Sequence, residues 1–341
     1  MKPLLIGPNV RNQVLVGDAA TVMSRLASRS IDMIFTSPPY YNLRDYSAGE
    51  SEIGHESSIG DWITNLETVA RAAYRVLTPS GTLWINVGDT YSPGPSHGTP
   101  RKSLLLGPER LAIRLADEGW ILRNKIVWHK ANHLPHPVGD RLTNAWEYVY
   151  VFARQPRYHF DLDAIRVPHA SVAPRTRHGV RPEGRIDSRR PGDTMLGSKG
   201  LMAMRAHGRV GHPRGKNPCD VWTLPTSHYR GAHRATMPVE LARRAIAAAS
   251  PELRCVACRA PWQRDRVRHV GRAALRPTCR CEADVEPGVV LDPFMGSGTT
   301  AVAARELGRD WLGIELNPDY AVEATKRIAE QDAESKRKEE I

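Results

Sequence analysis

The sequence predicts an α/β protein in which a mostly parallel sheet carries helices on both faces, and three observations predict it. Short apolar, β-branched runs alternate with helical patterns, as in Val14-Leu15-Val16, a helix through Leu26, and Ile31-Asp32-Met33-Ile34-Phe35. Parallel strands require such crossovers. Two strands deliver an acidic residue to their carboxyl ends, Asp18 after the first and Glu315 within Trp311–Leu316. A third strand, Val289-Val290-Leu291, runs into the Gly-rich turn Asp292-Pro-Phe-Met-Gly-Ser-Gly-Thr-Thr300, which opens a helix ending at Leu307-Gly308. Ligands of such sheets bind beyond the carboxyl ends of the strands, where all three features converge.

After Ile31–Phe35 comes Thr36-Ser37-Pro38-Pro39-Tyr40. Two consecutive prolines can neither continue a ladder nor comfortably open a helix, so the chain leaves the sheet in a stiff, extended turn. The turn presents a hydroxyl at Ser37, carbonyls at Pro38 and Pro39, and the aromatic face of Tyr40. That set suits a planar ring bearing an amino group, such as a nucleobase; the alternative is a loop that merely ends a strand. Asp18 reads equally as a helix N-cap or a ligand contact.

Trp62, Leu66, Val69, Ala73 and Leu77 share one helical face, with Asp61 as the expected cap and a stop before Pro79-Ser80-Gly81. Thr82–Val87 is the next strand, bringing Gly88-Asp89 to the same edge. Residues 91–103 form a Gly- and Pro-rich loop able to move over a site. Pro108–Glu118 is a helix closed by Gly119. Trp120–Leu122 and Lys125–Trp128 read as a broken strand, and Trp146–Phe152 as a further one. His129, His133 and His136 do not make a metal site in this reading, because Pro135 and Pro137 prevent the helix that would align them. Val221–Leu224 resumes order, and Pro238–Ala249 is an Ala-rich helix.

The 341 residues carry a formal charge of +11, most of it between Ser171 and Lys216, where nine Arg and two Lys face three acidic residues. That stretch has no Phe, Tyr or Trp and cannot bury much apolar surface. It reads as a solvated linker or as an insertion that binds a polyanion, and an Arg excess suits phosphate. No run approaches the roughly 18 apolar residues of a membrane span, and the first six residues are too short for a signal peptide, so a cytoplasmic location with reduced thiols is expected. Cys255 and Cys258 pair with Cys279 and Cys281 as two knuckles, the second with one intervening residue instead of two. Structural zinc, bystander thiols and redox chemistry are the readings this leaves, with zinc first. Cys219 stands alone.

The glycines at 296 and 298 let the backbone approach a ligand with helix N–H groups pointing at it. Glu315, 23 residues after Asp292, can accept both hydroxyls of a ribose. Gly296-Ser-Gly298-Thr-Thr-Ala301 also satisfies the dinucleotide fingerprint, which keeps an NAD oxidoreductase in view.

Thr36-Ser-Pro-Pro-Tyr40 early, Asp292–Thr300 late and Gly313-Ile-Glu-Leu-Asn-Pro318 after it resemble the permuted, beta-type amino methyltransferases of bacterial and phage DNA. Leu43–Tyr46, Gly81–Trp84, Ile126–Lys130, Ala232-His233 and Pro238 resemble further blocks of that family. The resemblance implies a Rossmann-like methyltransferase sheet with circularly permuted motifs. The catalytic half would span 1–154, a target-recognition insertion 155–230, and the cofactor half 231–341 with its Cys-rich insertion 255–281.

It implies S-adenosylmethionine as cofactor, lined by Phe294, Gly296, Gly298 and Thr299 with Asp292 and Ser297 in the same turn. Glu315, followed by Asn317, would hold the ribose; Asp18 would lie near the adenine and Thr236 near the methionine end. Ser37, Pro38, Pro39 and Tyr40 would grip a flipped base. The Ser form of the motif implies cytosine-N4 transfer, adenine-N6 transfer being the alternative and a silent DNA-binding relative a more distant one. No cysteine lies in the motif, which argues against carbon-5 methylation. Duplex DNA is the expected partner, through Arg175, Arg177, Arg181, Arg185, Arg189, Arg190, Arg205 and Arg209. A second copy of the chain and a cognate restriction endonuclease are partners this class allows, and no membrane is expected.

Overall fold

The computed structural model describes residues 6–7, 10–44, 49, 52–133, 135, 137–169, 212, 214–227, 229, 236–264 and 274–339. The chain runs β1 Gln13–Val16, α1 Ala19–Arg25, β2 Ile31–Thr36, α2 Ile59–Val76, β3 Leu77–Val87, α3 Gly107–Asp117, β4 Ile121–Lys130, β5 Trp146–Ala153, β6 Val221–Leu224 and α4 Val239–Ala249. The short strands β7 Arg254–Cys255, β8 Gln263–Arg264, β9 Leu275–Arg276 and β10 Val285–Glu286 follow. The chain closes with β11 Val289–Asp292, α5 Thr299–Glu306, β12 Asp310–Glu315 and α6 Pro318–Glu339.

Eight strands form one sheet in the order β1-β12-β11-β2-β3-β5-β4-β6. The first five are parallel, β5 is antiparallel to both neighbours, and β6 runs parallel to β4 at the far edge. The carboxyl ends of the parallel strands and the amino end of β5 therefore share one edge. Helices α1, α2 and α3 pack one face through Met23, Trp62, Leu66, Leu111 and Leu115. Helices α4, α5 and α6 pack the other through Leu241, Ile246, Ala301, Ala324 and Ile328. A strand covered on both faces must be apolar throughout, and every residue of β2 is buried. Among the described residues no helix is long and apolar enough to cross a membrane.

Three local expectations are corrected. Ser58, and not Asp61, caps α2: its hydroxyl accepts the Asp61 N–H at 3.2 Å, while the Asp61 carboxylate accepts the Ser57 and Ser58 hydroxyls. The strand expected over Thr82–Val87 begins earlier, at Leu77, so that Pro79-Ser80-Gly81 lies within β3, whose register against β2 shifts between Ile31 and Met33. The extra residues bulge there, and Gly81 suits the site because a Cβ would stand 2.9 Å from Leu77 Cδ2 and 3.1 Å from the Asp32 carbonyl. The break expected in β4 is likewise a register shift between Leu122 and Asn124 within one continuous strand.

Residues 91–103 are tied together by buried Ser92, whose hydroxyl donates to the Gly94 and Thr99 carbonyls at 2.9 Å. The loop reaches no wall of the cavity described next.

Candidate active site

At the shared edge lies a cavity of about 610 Å³, walled by segments far apart in sequence: Gly17–Ala19, Ser37–Tyr40, Asn86, Lys130, Glu147, Thr236 and Asp292–Ser297 with Glu315. Strand ends place all of them but Thr236, which precedes α4: a parallel sheet brings its carboxyl-end turns together, and antiparallel β5 adds its amino end with Glu147.

One end is built on the double-proline turn. Pro38 is buried and Tyr40 half-buried. Ser37 Oγ lies 3.3 Å from Tyr40 Oη, and Tyr40 Oη donates to Glu147 Oε2 at 2.7 Å. Trp62 Nε1 donates to the Pro39 carbonyl at 2.9 Å, so that oxygen anchors the turn on α2. Gly88 lies directly against the tyrosine: a Cβ there would stand 2.9 Å from Tyr40 Cε2.

The other end is built on the Gly-rich turn. The Gly296 N–H donates to Glu315 Oε2 at 2.7 Å and the Asn317 N–H to Oε1 at 3.0 Å, which squares the carboxylate at the end of β12. Burial raises its pKa. Gly296 has φ +50°, and Phe294 is half-buried on the wall. Asp292 is fully buried and its carboxylate is engaged within the protein, by Thr36 Oγ1 and Thr300 Oγ1 at 2.6 Å each and by the Phe294 N–H at 3.0 Å. Burial pushes its pKa up to about 7 against those hydrogen bonds.

Thr236 Oγ1 lies 3.1 Å from Ser297 Oγ, and both residues line the cavity. Arg327, reaching back from α6, donates to the Ser297 carbonyl and hydroxyl at 2.9 Å and to Thr299 Oγ1 at 3.1 Å. Asp18 caps α1 by accepting the Thr21 N–H at 2.8 Å, and it lines the cavity as well.

Two residues expected at the cofactor do not line the cavity. Gly298, at φ +81°, faces α6, where a Cβ would meet Ile328 at 3.1 Å. Asn317 caps α6, its Oδ1 accepting the Asp319 N–H at 2.9 Å. The eight arginines proposed for DNA, Arg175 to Arg209, lie outside the described residues. Asn86, Lys130 and Glu147, which meet beside Tyr40, are not among the residues the sequence points to. Nothing local marks them; they meet through the antiparallel registers Asn86↔Val149 and Trp128↔Glu147.

Away from this edge, the Sγ atoms of Cys255, Cys258, Cys279 and Cys281 all lie within 4.8 Å of one another. Backbone N–H groups led by that of Cys258 draw the Cys255 thiol down to about 7.

The DNA methylase family model for N6 and N4 methyltransferases matches residues 31–326. The type II methyltransferase M.Cfr9I of Citrobacter freundii is 31% identical over 338 residues, covering 93% of this chain and 87% of its own. M.SmaI of Serratia marcescens is 31% identical over 342 residues, covering 94% and 92%. Two solved structures share the fold. The PvuII DNA methyltransferase (cytosine-N4-specific) aligns with TM-score 0.58 at 17% identity over 94% of this chain and 91% of its own. The putative DNA modification methylase TTHA0409 of Thermus thermophilus, complexed with S-adenosyl-L-methionine, aligns with TM-score 0.54 at 23% identity over 94% and 93%. A match this long, running through both turns that wall the cavity, makes the chain a member of the DNA methylase family of N6 and N4 amino methyltransferases.

Proposed function

We propose that this DNA methyltransferase transfers the methyl group of S-adenosylmethionine to the exocyclic N4 amino group of a cytosine flipped out of duplex DNA. The observation that carries the reading is that Ser37–Tyr40 and Glu315 wall one cavity. S-adenosylmethionine bound there supplies an electrophilic methyl group on a positively charged sulfur. The residues fit it: Glu315 retains lone pairs for a ribose diol, and the half-buried Phe294 on the cavity wall offers an aromatic surface to a flat ring.

An aromatic amine is a weak nucleophile because its lone pair is delocalised into the ring. Ser37 Oγ and the Pro38 carbonyl would accept its hydrogens and favour a pyramidal nitrogen, freeing that lone pair for the methyl group. Both contacts strengthen as positive charge grows on nitrogen, which is transition-state stabilisation. The nitrogen would gain the methyl group as the sulfonium S–C bond breaks, its electron pair staying on sulfur to leave S-adenosylhomocysteine, and would afterwards lose one proton to solvent. Flipping the base costs a few kcal/mol, offset by stacking on Tyr40. The basic stretch 171–216, within the insertion proposed for target recognition, holds the DNA phosphates. The type II names of M.Cfr9I and M.SmaI support a cognate restriction endonuclease as the partner activity.

Zinc in the cysteine cluster is a second proposal. Tetrahedral Zn–S bonds of about 2.3 Å set sulfurs about 3.8 Å apart, within the spread of these four. One zinc per chain in protein purified without chelator is expected, and substoichiometric zinc overturns it.

The experiment that tests the reaction is mass spectrometry of nucleosides from DNA of cells expressing the chain. N4-methylcytosine, absent with Ser37→Ala, is expected. N6-methyladenine in its place overturns the choice of base, and neither product overturns the reaction.

A further inference from the structure

Three donors converge on Glu147 at the amino end of β5. Tyr40 Oη reaches Oε2 at 2.7 Å, Asn86 Nδ2 reaches the same oxygen at 3.1 Å, and Lys130 Nζ closes on Oε1. Both carboxylate oxygens are therefore acceptors. Tyr40 has one hydroxyl hydrogen, and Glu147 takes it. Ser37 Oγ lies 3.3 Å from the same Tyr40 oxygen, so in that pair the serine must be the donor. Its O–H is directed at Tyr40, and lone pairs are what it has left to present to the cavity.

Glu147 acts on Asn86 in the same sense. The Asn86 amide gives one N–H to Glu147 and the other to the Tyr148 carbonyl at 3.1 Å, which fixes which end is oxygen. Its side chain is fully buried, the residue lines the cavity, and Oδ1 has no hydrogen-bond partner among the described residues. A buried acceptor left unpaired is costly, so it marks a place where a donor is to arrive.

We propose that Glu147 is a positioning residue that sets the hydrogen-bond polarity of this end of the cavity, so that Ser37 Oγ and Asn86 Oδ1 offer acceptors only. An amino group, which brings two hydrogens, is admitted; a carbonyl or an unprotonated ring nitrogen finds no donor there. The inference rests on the reading of the site as one that methylates a base amino group.

Glu147→Gln reverses the polarity with little change of shape. The amide has one oxygen, which the Lys130 ammonium, a donor only, must keep. The NH₂ then faces Tyr40, whose O–H turns to Ser37 and occupies a serine lone pair. Single-turnover methylation of duplex DNA is expected to slow by roughly 30-fold, as for one lost transition-state hydrogen bond. Dissociation constants for DNA and for S-adenosylmethionine should stay within about threefold, which a merely structural role for Glu147 would not predict. Tyr40→Phe removes the relay while keeping the ring. It is expected to slow turnover as well, and the double variant should lose far less than the product of the two single losses. Fully active Glu147→Gln or Tyr40→Phe, or losses that simply multiply, overturn the proposal while wild type remains active. A wild-type chain that methylates no amino group overturns the reaction reading instead.

Discussion

The Thr36 hydroxyl donates to Asp292 Oδ1 at 2.6 Å, joining the last residue of β2 to the last residue of β11 inside the core. One residue later the chain enters the double-proline turn; on the other side it enters the Gly-rich turn. The two ends of the active cavity are thus held in one frame by a buried carboxylate.

That carboxylate makes stability depend on pH. Burial raises its pKa to about 7 from an ordinary 3.8, so the folded protein holds this proton more tightly than the unfolded chain. The contribution is fully present below the unfolded value and is lost as pH rises toward 7. Asp292→Asn cannot titrate, and its amide can still accept from Thr36. Urea unfolding should show wild type losing roughly 3 kcal/mol relative to Asp292→Asn between about pH 5 and pH 8. Parallel pH profiles would show that the Asp292 carboxylate stays ionised in the fold.

Gly88 and Tyr40 make a second prediction. A methyl group on Gly88 would stand 2.9 Å from Tyr40 Cε2 and 3.2 Å from Glu147 Cγ, so one of them must move. Because reaction rates are steep in alignment, Gly88→Ala should lower methylation by at least about tenfold while S-adenosylmethionine still binds. Wild-type turnover in this variant would mean that the tyrosine ring does not position the base.

Much of this was legible in the sequence because the signals are local. Prolines at 38 and 39 must leave a sheet, glycines at 296 and 298 permit φ of +50° and +81°, and the apolar strands are continuous because both faces of the sheet are covered. What was not legible depends on register. Glu147 sits in a strand whose other residues are mostly aromatic and β-branched, and only the pairing of β5 with β3 and β4 brings it to Asn86 and Lys130. Arg327 reaches Ser297 from 30 residues away on α6. Gly298 and Asn317 show the opposite error: both belong to the motif by sequence, yet one packs on α6 and the other caps it.

Glu315 gives the prediction at the cofactor end. Its oxygens each accept one backbone N–H, from Gly296 and from Asn317, so the side chain shapes the turn and keeps the lone pairs that the proposed ribose contact would use. Glu315→Ala removes the acceptor and leaves those N–H groups unpaired. Calorimetry should find S-adenosylmethionine bound about 10- to 100-fold more weakly, the range for losing hydrogen bonds to a charged group. Unchanged affinity would place the ribose elsewhere in the cavity.

A buried ion pair holds the root of the Cys-rich segment. Arg254 and Asp32 are both almost completely buried, and Arg254 Nη1 donates to Asp32 Oδ2 at 2.7 Å and to the Ser30 carbonyl at 2.8 Å. Arg254 Nε also donates to Glu286 at 2.9 Å, and Asp32 accepts the Val289 N–H at 2.8 Å. The pair therefore clamps β2, β7, β10 and β11 where the Cys-rich segment leaves the sheet. A buried pair need not stabilise more than apolar residues would, but removing one partner strands the other charge. Arg254→Met should cost about 3–5 kcal/mol in urea unfolding. Adding Asp32→Asn should recover part of that loss, because the stranded carboxylate is gone while Oδ1 can still accept from Val289. If the double variant is no more stable than Arg254→Met, the cost comes from lost packing of the arginine stem and not from the uncompensated charge.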